Sequence, residues 1–160
     1  MAEKSANLIH RYLNEAIAAE EALAHQFQKY SKQAEDEAAR NAFHQYAEEA
    51  KGHERRLRDA LAAAGGSPPV MKILLGHIFG LGVKPAATEA GEADRLMQDL
   101  ILACAVENSE AGMYQVLATM ADAAGEGDAA DLARDIQAQK QTAADKLRSL
   151  LPLIAGATEA

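Results

Sequence analysis

Apolar residues recur three and four positions apart in four long segments of the chain, which is the spacing of one face of an α-helix. The first segment covers about residues 5–34, and the second ends at Gly65 and Gly66. The third starts near Glu92 and ends in the glycines around 125–127. The fourth runs from about residue 128 to 151 and stops near Pro152. The pattern predicts an all-α protein with four long helices.

The connection between the second and third helices, residues 65–91, is much longer than the other two. It holds three of the four prolines, and its stretch VMKILLGHIFGLG predicts a short amphipathic helix that forms a dimer surface or packs on the bundle. A helix of about thirty residues is about 45 Å long, and this connection has enough residues to cross that length. The predicted order is therefore hairpin (about 5–64), long crossover, hairpin (about 92–153). This is the ferritin-like connectivity among antiparallel four-helix bundles, in a single domain over residues 1–160.

Composition and charge exclude some classes of function. The chain carries 16 Lys and Arg against 24 Asp and Glu, a net charge of −8, so it lacks the basic face that binds nucleic acid. No apolar run is long enough to cross a bilayer, and the N-terminal stretch lacks the apolar core of a signal peptide. We therefore expect a cytoplasmic protein without membrane contact. Cys104 lies in an apolar run and is predicted to be a buried thiol.

Acidic residues interrupt the apolar stripes at positions that should face the core. Glu107 follows Leu100 and Cys104 on the third helix, with Glu110 one turn further on. Glu20 and Glu21 interrupt the stripe of the first helix, and the pair Glu49 and His53 lies near the inward line of the second. A buried carboxylate is costly unless it is protonated, paired or bound to a metal ion.

An internal repeat brings more polar residues into this group. With a shift of 86 residues, the separation of His53 from Gln139, Glu21 falls on Glu107 and Glu49 falls on Asp135. Carboxylates and imidazoles that converge in a bundle are the ligands of di-iron and di-manganese centres. We therefore predict a partial site for one or two iron or manganese ions. Its candidate ligands are Glu21, Glu49, His53, Glu107, Glu110, Asp135 and Gln139.

Two features weaken a complete metal centre. Glu49 and His53 are four residues apart rather than the usual three, and Gln139 offers a neutral amide where the first half has a histidine. Glu110 or Glu20 could supply a compensating oxygen. Tyr46 and Tyr114 are expected in the core near the same level, and the alternative is that they bond a ligand carboxylate.

The stretches AAEEAL, EEAKGHERRL and DLILACAVENSEAGMYQVLATMADAAG, with the Gly-Ser-Pro crossover, resemble the ferritin-like domain family typified by the bacterial YciE and YciF proteins. The resemblance covers about residues 5–153. It implies a homodimer, a di-metal centre and a link to bacterial stress. On matching positions it implies Glu21, Glu49, His53, Glu107 and Glu110 as ligands.

Two functions remain open, and the sequence leaves open whether the protein is an enzyme. The first is a metal-binding stress protein with ferroxidase or peroxide-detoxifying activity, in which an open coordination position reduces oxygen or peroxide. The second is a non-catalytic structural or interaction protein with a degenerate metal site, whose acids bond one another, water, or Lys and Arg side chains.

Overall fold

Four helices make up almost all of the computed structural model, which describes residues 2–67 and 91–158. They are α1 (Ala2–Gln33), α2 (Glu37–Ala63), α3 (Glu92–Ala124) and α4 (Gly127–Thr158). The all-α prediction is confirmed, and the predicted ends of α1, α2 and α3 agree within a few residues. The amphipathic helix predicted at 70–82, and the dimer surface assigned to it, lie outside the described residues.

Local signals in the sequence explain where the helices begin and end. The carboxylate of Asp36 accepts a hydrogen bond of 2.8 Å from the backbone N–H of Ala39, which caps the free donors at the start of α2. Gly125 ends α3 in the left-handed conformation, with φ of 79°, where a side chain would be strained. Both hairpins are therefore closed by short turns.

The predicted end of α4 near Pro152 is wrong, because the helix continues to Thr158 with Pro152 inside it. Proline removes its own N–H from the hydrogen-bond ladder and its ring crowds the carbonyl group four residues earlier, so a helix continues past it only where other contacts stabilise the far side. Beyond the proline, Ile154 is buried in the core with only 6% of its surface exposed. Burial of this side chain favours helix on the far side of Pro152.

The described helix ends also give the direction of the helices. His10 Nε2, near the start of α1, lies 2.9 Å from the carbonyl oxygen of Ala64, just after α2. Glu92, at the start of α3, lines the same hollow as Glu35, in the turn between α1 and α2. Helices α2 and α3 thus point the same way along the bundle. The hairpins pack with α1 against α3 and α2 against α4.

The apolar core is divided into two parts along the bundle axis. One part contains Phe27, Tyr30, Phe43 and Tyr46, whose ring centroids lie 5.2–6.5 Å apart, together with Leu100 and Leu147 of the other hairpin. The other part lies towards the opposite end and contains Leu13, Ile17, Leu57, Leu117 and Ile136. The polar side chains described below occupy the level between them.

Two further predictions concern the single cysteine and membrane-spanning helices. Cys104 is a buried free thiol, as predicted, and burial raises its pKa. None of the helices in the described part of the chain is both long and apolar enough to cross a membrane.

Candidate functional site

Five buried polar or charged side chains lie between the two parts of the core. They are Glu20 of α1, His53 of α2, Glu107 and Glu110 of α3, and Lys140 of α4. All four helices contribute, and each residue is at most 3% exposed. We call these five residues the polar layer. Charged side chains are almost never buried to this degree unless they are paired, so the charges in this layer must be balanced by one another.

The ammonium group of Lys140 is at the centre of the polar layer. Its Nζ lies 2.9 Å from Glu20 Oε2, 2.6 Å from Glu110 Oε2 and 3.7 Å from Glu107 Oε1. One cation therefore faces three carboxyl groups from two other helices. The arrangement supplies the positive charge that the acids require in an apolar core.

Neighbouring side chains complete the contacts of Glu20. The hydroxyl of Tyr114 donates a hydrogen bond of 2.6 Å to Glu20 Oε1, and His53 Nδ1 lies 3.3 Å from the same oxygen. The other ring nitrogen of His53, Nε2, lies 2.8 Å from Oε1 of Gln139. Tyr114 is buried in the core, as expected, and it also makes the hydrogen bond to a carboxylate that was the alternative, with Glu20 as its partner.

The three carboxyl groups differ in how well they are paired. Burial works to raise the pKa of Glu20, but Lys140, His53 and Tyr114 outweigh it, so its pKa is lowered and Glu20 is ionised. Burial raises the pKa of Glu107 to about 8 and that of Glu110 to about 7, against the attraction of Lys140. Glu107 Oε2 and Glu110 Oε1 have no hydrogen-bond partner within the described residues. The layer thus combines one firm ion pair with two carboxyl groups that hold protons near neutral pH.

The inward position predicted for Glu21 is wrong. Its side chain is 58% exposed and lies 4.0 Å from Arg58. Glu20 takes its place because it follows Ala16 by four positions and Ile17 by three, and so continues the buried face of α1. A step of one residue turns a side chain by about 100° around a helix, which carries Glu21 to the surface. Glu20 therefore aligns with Glu107, at a shift one residue longer than the predicted 86.

Two more predicted ligands lie outside the polar layer. Asp135 is 53% exposed and pairs with Arg56. Glu49 is partly exposed and accepts a hydrogen bond of 2.7 Å from Gln45. Gln139 contacts the polar layer through His53, and on its other side its amide donates a hydrogen bond to the exposed Asp135. Of the predicted set, the structure brings together His53, Glu107 and Glu110, with Gln139 at their edge.

Lys140 was missed by sequence reasoning, although a signal for it exists. It follows Ile136 by four positions and precedes Ala143 by three, so it lies on the buried stripe of α4. A lysine on such a stripe, in a bundle with acids on the facing stripes, predicts a buried ion pair. The repeat, aligned on Glu21 and Glu49, points instead to Gln139, the neighbour of Lys140.

Comparison with known proteins gives the family. The chain matches the family described as "Domain of unknown function (DUF892)" over residues 4–159. It belongs to the DUF892 family. No sequence among the curated proteins matches this DUF892 protein.

Solved structures similar to this DUF892 protein cover nearly its whole length. The E. coli stress protein YciF is 22% identical, covers 98% of each chain and has a TM-score of 0.80. A Xanthomonas campestris protein is also 22% identical, covers 96% of this chain and 94% of its own, and has a TM-score of 0.79. A dodecameric thioferritin from Bacteroides fragilis is 19% identical, covers 96% of this chain and 90% of its own, and has a TM-score of 0.76. These likenesses show that the fold is ferritin-like.

Replacement of the central cation tests the role of Lys140. In the Lys140→Met variant, Glu20, Glu107 and Glu110 keep their places without a positive charge. We expect the free energy of unfolding near pH 8 to fall by about 3–5 kcal/mol, measured by urea denaturation. The control is Lys146→Met on the exposed side of α4. Equal stability of the two variants would contradict a central role for Lys140.

The raised pKa of Glu107 predicts how stability depends on pH. Its usual pKa is 4.5 and the folded value is about 8, so between these values the folded state binds more protons than the unfolded chain. The free energy of unfolding therefore falls as pH rises from about 4.5 to about 8, by about 1 kcal/mol or more from this group. The lowered pKa of Glu20 acts in the opposite direction, and only at lower pH.

The Glu107→Gln variant removes this titration and keeps the shape of the protonated acid. We expect urea denaturation between about pH 5.5 and about pH 8 to show a shallower loss of stability than in the natural protein. The control variant Glu21→Gln changes an exposed glutamate and should keep the dependence of stability on pH that the natural protein shows. If Glu107→Gln keeps it too, Glu107 does not hold a proton in the folded protein.

Proposed function

We propose that this DUF892 protein is a non-catalytic ferritin-like bundle with a structural or interaction role, in which the ammonium of Lys140 takes the place of a metal ion. The observation that carries the proposal is the position of Lys140 Nζ, 2.9 Å from Glu20 and 2.6 Å from Glu110 in the centre of the polar layer. The ammonium supplies one positive charge where a divalent ion would supply two, and the protons held by Glu107 and Glu110 lower the negative charge to match. The centre is then complete from the chain itself.

The alternative, a di-iron or di-manganese centre with ferroxidase or peroxide-detoxifying activity, fits these residues poorly. Carboxylates and an imidazole are suitable ligands in kind. Lys140 lies among them, however, so a metal ion would have to expel a buried ammonium. Over residues 2–67 and 91–158 no group of three or more His, Cys, Asp or Glu side chains is arranged to hold a metal ion. The donor set supports the lysine centre, and we derive no reaction step through a metal.

A place in bacterial stress physiology and a cytoplasmic location are part of the proposal. The stress role rests on likeness to YciF, which is described as an E. coli stress protein and has the same fold over 98% of each chain. The cytoplasmic location rests on the buried free thiol of Cys104, which suits a reducing compartment. A buried ion-paired layer is compatible with such a role, because it requires no cofactor to be loaded before the bundle is complete.

Metal analysis tests the lysine centre against the metal centre. Protein purified from cells grown with added iron and manganese should contain less than about a tenth of an equivalent of either metal, because Lys140 occupies the site. Adding Mn²⁺ or Fe²⁺ should leave the melting temperature unchanged. Stoichiometric bound metal in the natural protein would overturn the proposal in favour of the metal centre.

The Lys140→Ala variant supplies the matched arm of this test. It removes the ammonium and leaves Glu20, Glu107, Glu110 and His53 around an empty volume. We expect Mn²⁺ to raise the melting temperature of this variant, since the acids can turn towards an ion once the ammonium is gone, and an ion that binds the folded state stabilises it. Metal uptake by the natural protein and the variant alike would show that Lys140 does not block the site.

Self-association as a homodimer is also part of the proposal, and the outer face of α3 is the surface that fits it. Ile101 and Val116 are 52% and 48% exposed on this face. Between them lie exposed small residues, among them Gly112, where an added Cβ would meet nothing within 4 Å. A glycine inside a helix costs about 0.5–1 kcal/mol relative to alanine, so its place here is explained by close approach of a second helix.

A bulky charged side chain at Gly112 tests the dimer. The Gly112→Arg variant should sediment as a monomer with unchanged helical content, because arginine has room on the free chain but not against a partner helix. The control, Ala138→Arg, changes an exposed position of α4 and should leave the oligomeric state unchanged. A natural protein that sediments as a monomer would contradict the dimer.

A further inference from the structure

The outer face of α3 differs from the outer faces of the other three helices because most of its length exposes no charge. Over residues 101–119, all of which the structure describes, the only charged side chains are Glu107 and Glu110, and both are buried. An uncharged stretch of surface is typical of the core of a protein interface, where charged residues are depleted. The other three helices expose charged residues along their lengths, among them Arg11, Glu21, Glu48, Arg55, Asp131 and Asp145.

The exposed residues of this face follow nearly the same order in both directions from a centre between positions 108 and 109. The large apolar residues Ile101 and Val116 lie at equal distances from this centre. The small residues Ala105 and Gly112 also lie at equal distances from it, closer in. All four are exposed, and so are the two residues at the centre. The face therefore matches itself when the direction of the helix is reversed.

A second copy of the chain is the partner that such a face fits. An isologous dimer uses the same patch on both copies, so a two-fold axis at the centre brings each residue to the level of its counterpart. The two α3 helices then run antiparallel. Ile101 of each copy lies at the level of Val116 of the other, and Ala105 lies at the level of Gly112. The small pair allows the backbones to approach closely, and the large pair at both ends buries apolar surface.

The charges at the two ends of the uncharged face favour this antiparallel order. Arg95 and Asp122 lie at equal distances from the same centre, and both are exposed. Antiparallel helices bring Arg95 of each copy to the level of Asp122 of the other, whereas parallel helices would bring like charges together, which is unfavourable. Asp122 already pairs with Arg134 of its own chain, and a carboxylate has acceptor sites for a second guanidinium group.

We propose that two copies of this DUF892 protein pair through their α3 helices in antiparallel order, about a two-fold axis between positions 108 and 109. This inference rests on the dimer proposed above, and it adds the direction and the register of the two helices. It does not depend on the lysine centre, because the five side chains of the polar layer are buried inside each bundle.

Disulfide cross-linking of introduced cysteines tests this register. On mild oxidation most of the Asn108→Cys protein should migrate as a dimer on a non-reducing gel, because position 108 of each copy lies beside the axis. Ala105→Cys and Gly112→Cys should each stay monomeric on the gel. In either variant the two identical positions lie about 10 Å apart along the helices, and a disulfide requires Cα atoms within about 7 Å. The double variant with both substitutions should cross-link, because it places each new cysteine opposite the other.

The natural protein is the control, because its single cysteine, Cys104, is buried and should not cross-link. Cross-linking of Ala105→Cys and of Gly112→Cys separately would show parallel helices and would overturn the proposal. If none of the variants cross-links while the natural protein sediments as a dimer, the interface lies elsewhere, and only the register proposed here fails. A natural protein that sediments as a monomer would remove the dimer as well. Metal analysis tests the lysine centre independently of all these results.

Discussion

The contact between the ammonium of Lys140 and three buried glutamates is the interaction on which the middle of the bundle depends. Carboxylates at one level of an apolar core repel one another, and each loses its hydration on burial. A cation among them, with protons on the less well paired acids, removes most of that cost. Lys140 Nζ lies within 3.7 Å of all three acids, and Tyr114 and His53 complete the contacts of Glu20.

This layer also fixes how the two hairpins meet. Glu20 and His53 belong to the first hairpin, and Glu107, Glu110 and Lys140 belong to the second, so its ion pairs join the two halves. The apolar contacts above and below are less specific about position, because many of them involve alanine. A sliding of one hairpin by one turn would separate Lys140 from Glu20 and leave the charge of Glu20 buried without its cation, while Lys140 would keep only Glu107 and Glu110 of its own hairpin. The polar layer therefore specifies the register of the bundle.

The ferritin-like fold by itself does not decide what kind of centre these residues form. A ferritin-like bundle brings side chains from four helices to one point, and that point can hold a metal pair, an ion pair or a proton network. In this DUF892 protein a lysine of α4 lies at that point. The acids around it suit any of these centres in kind, whereas the lysine makes the cation a part of this chain.

The sequence by itself determined the helices, their order and the presence of acids on buried stripes, since these follow from local periodicity and the turn residues. It identified Glu107, Glu110 and His53 because each continues an apolar stripe along its own helix. It did not place Glu20 correctly against Glu21, since adjacent residues differ only by a rotation of about 100° and the repeat at a shift of 86 residues favoured Glu21. It did not find Lys140, because the acids that pair with this residue lie on α1 and α3, far from it along the chain. Only the packing of the four helices decided which cation the acids share.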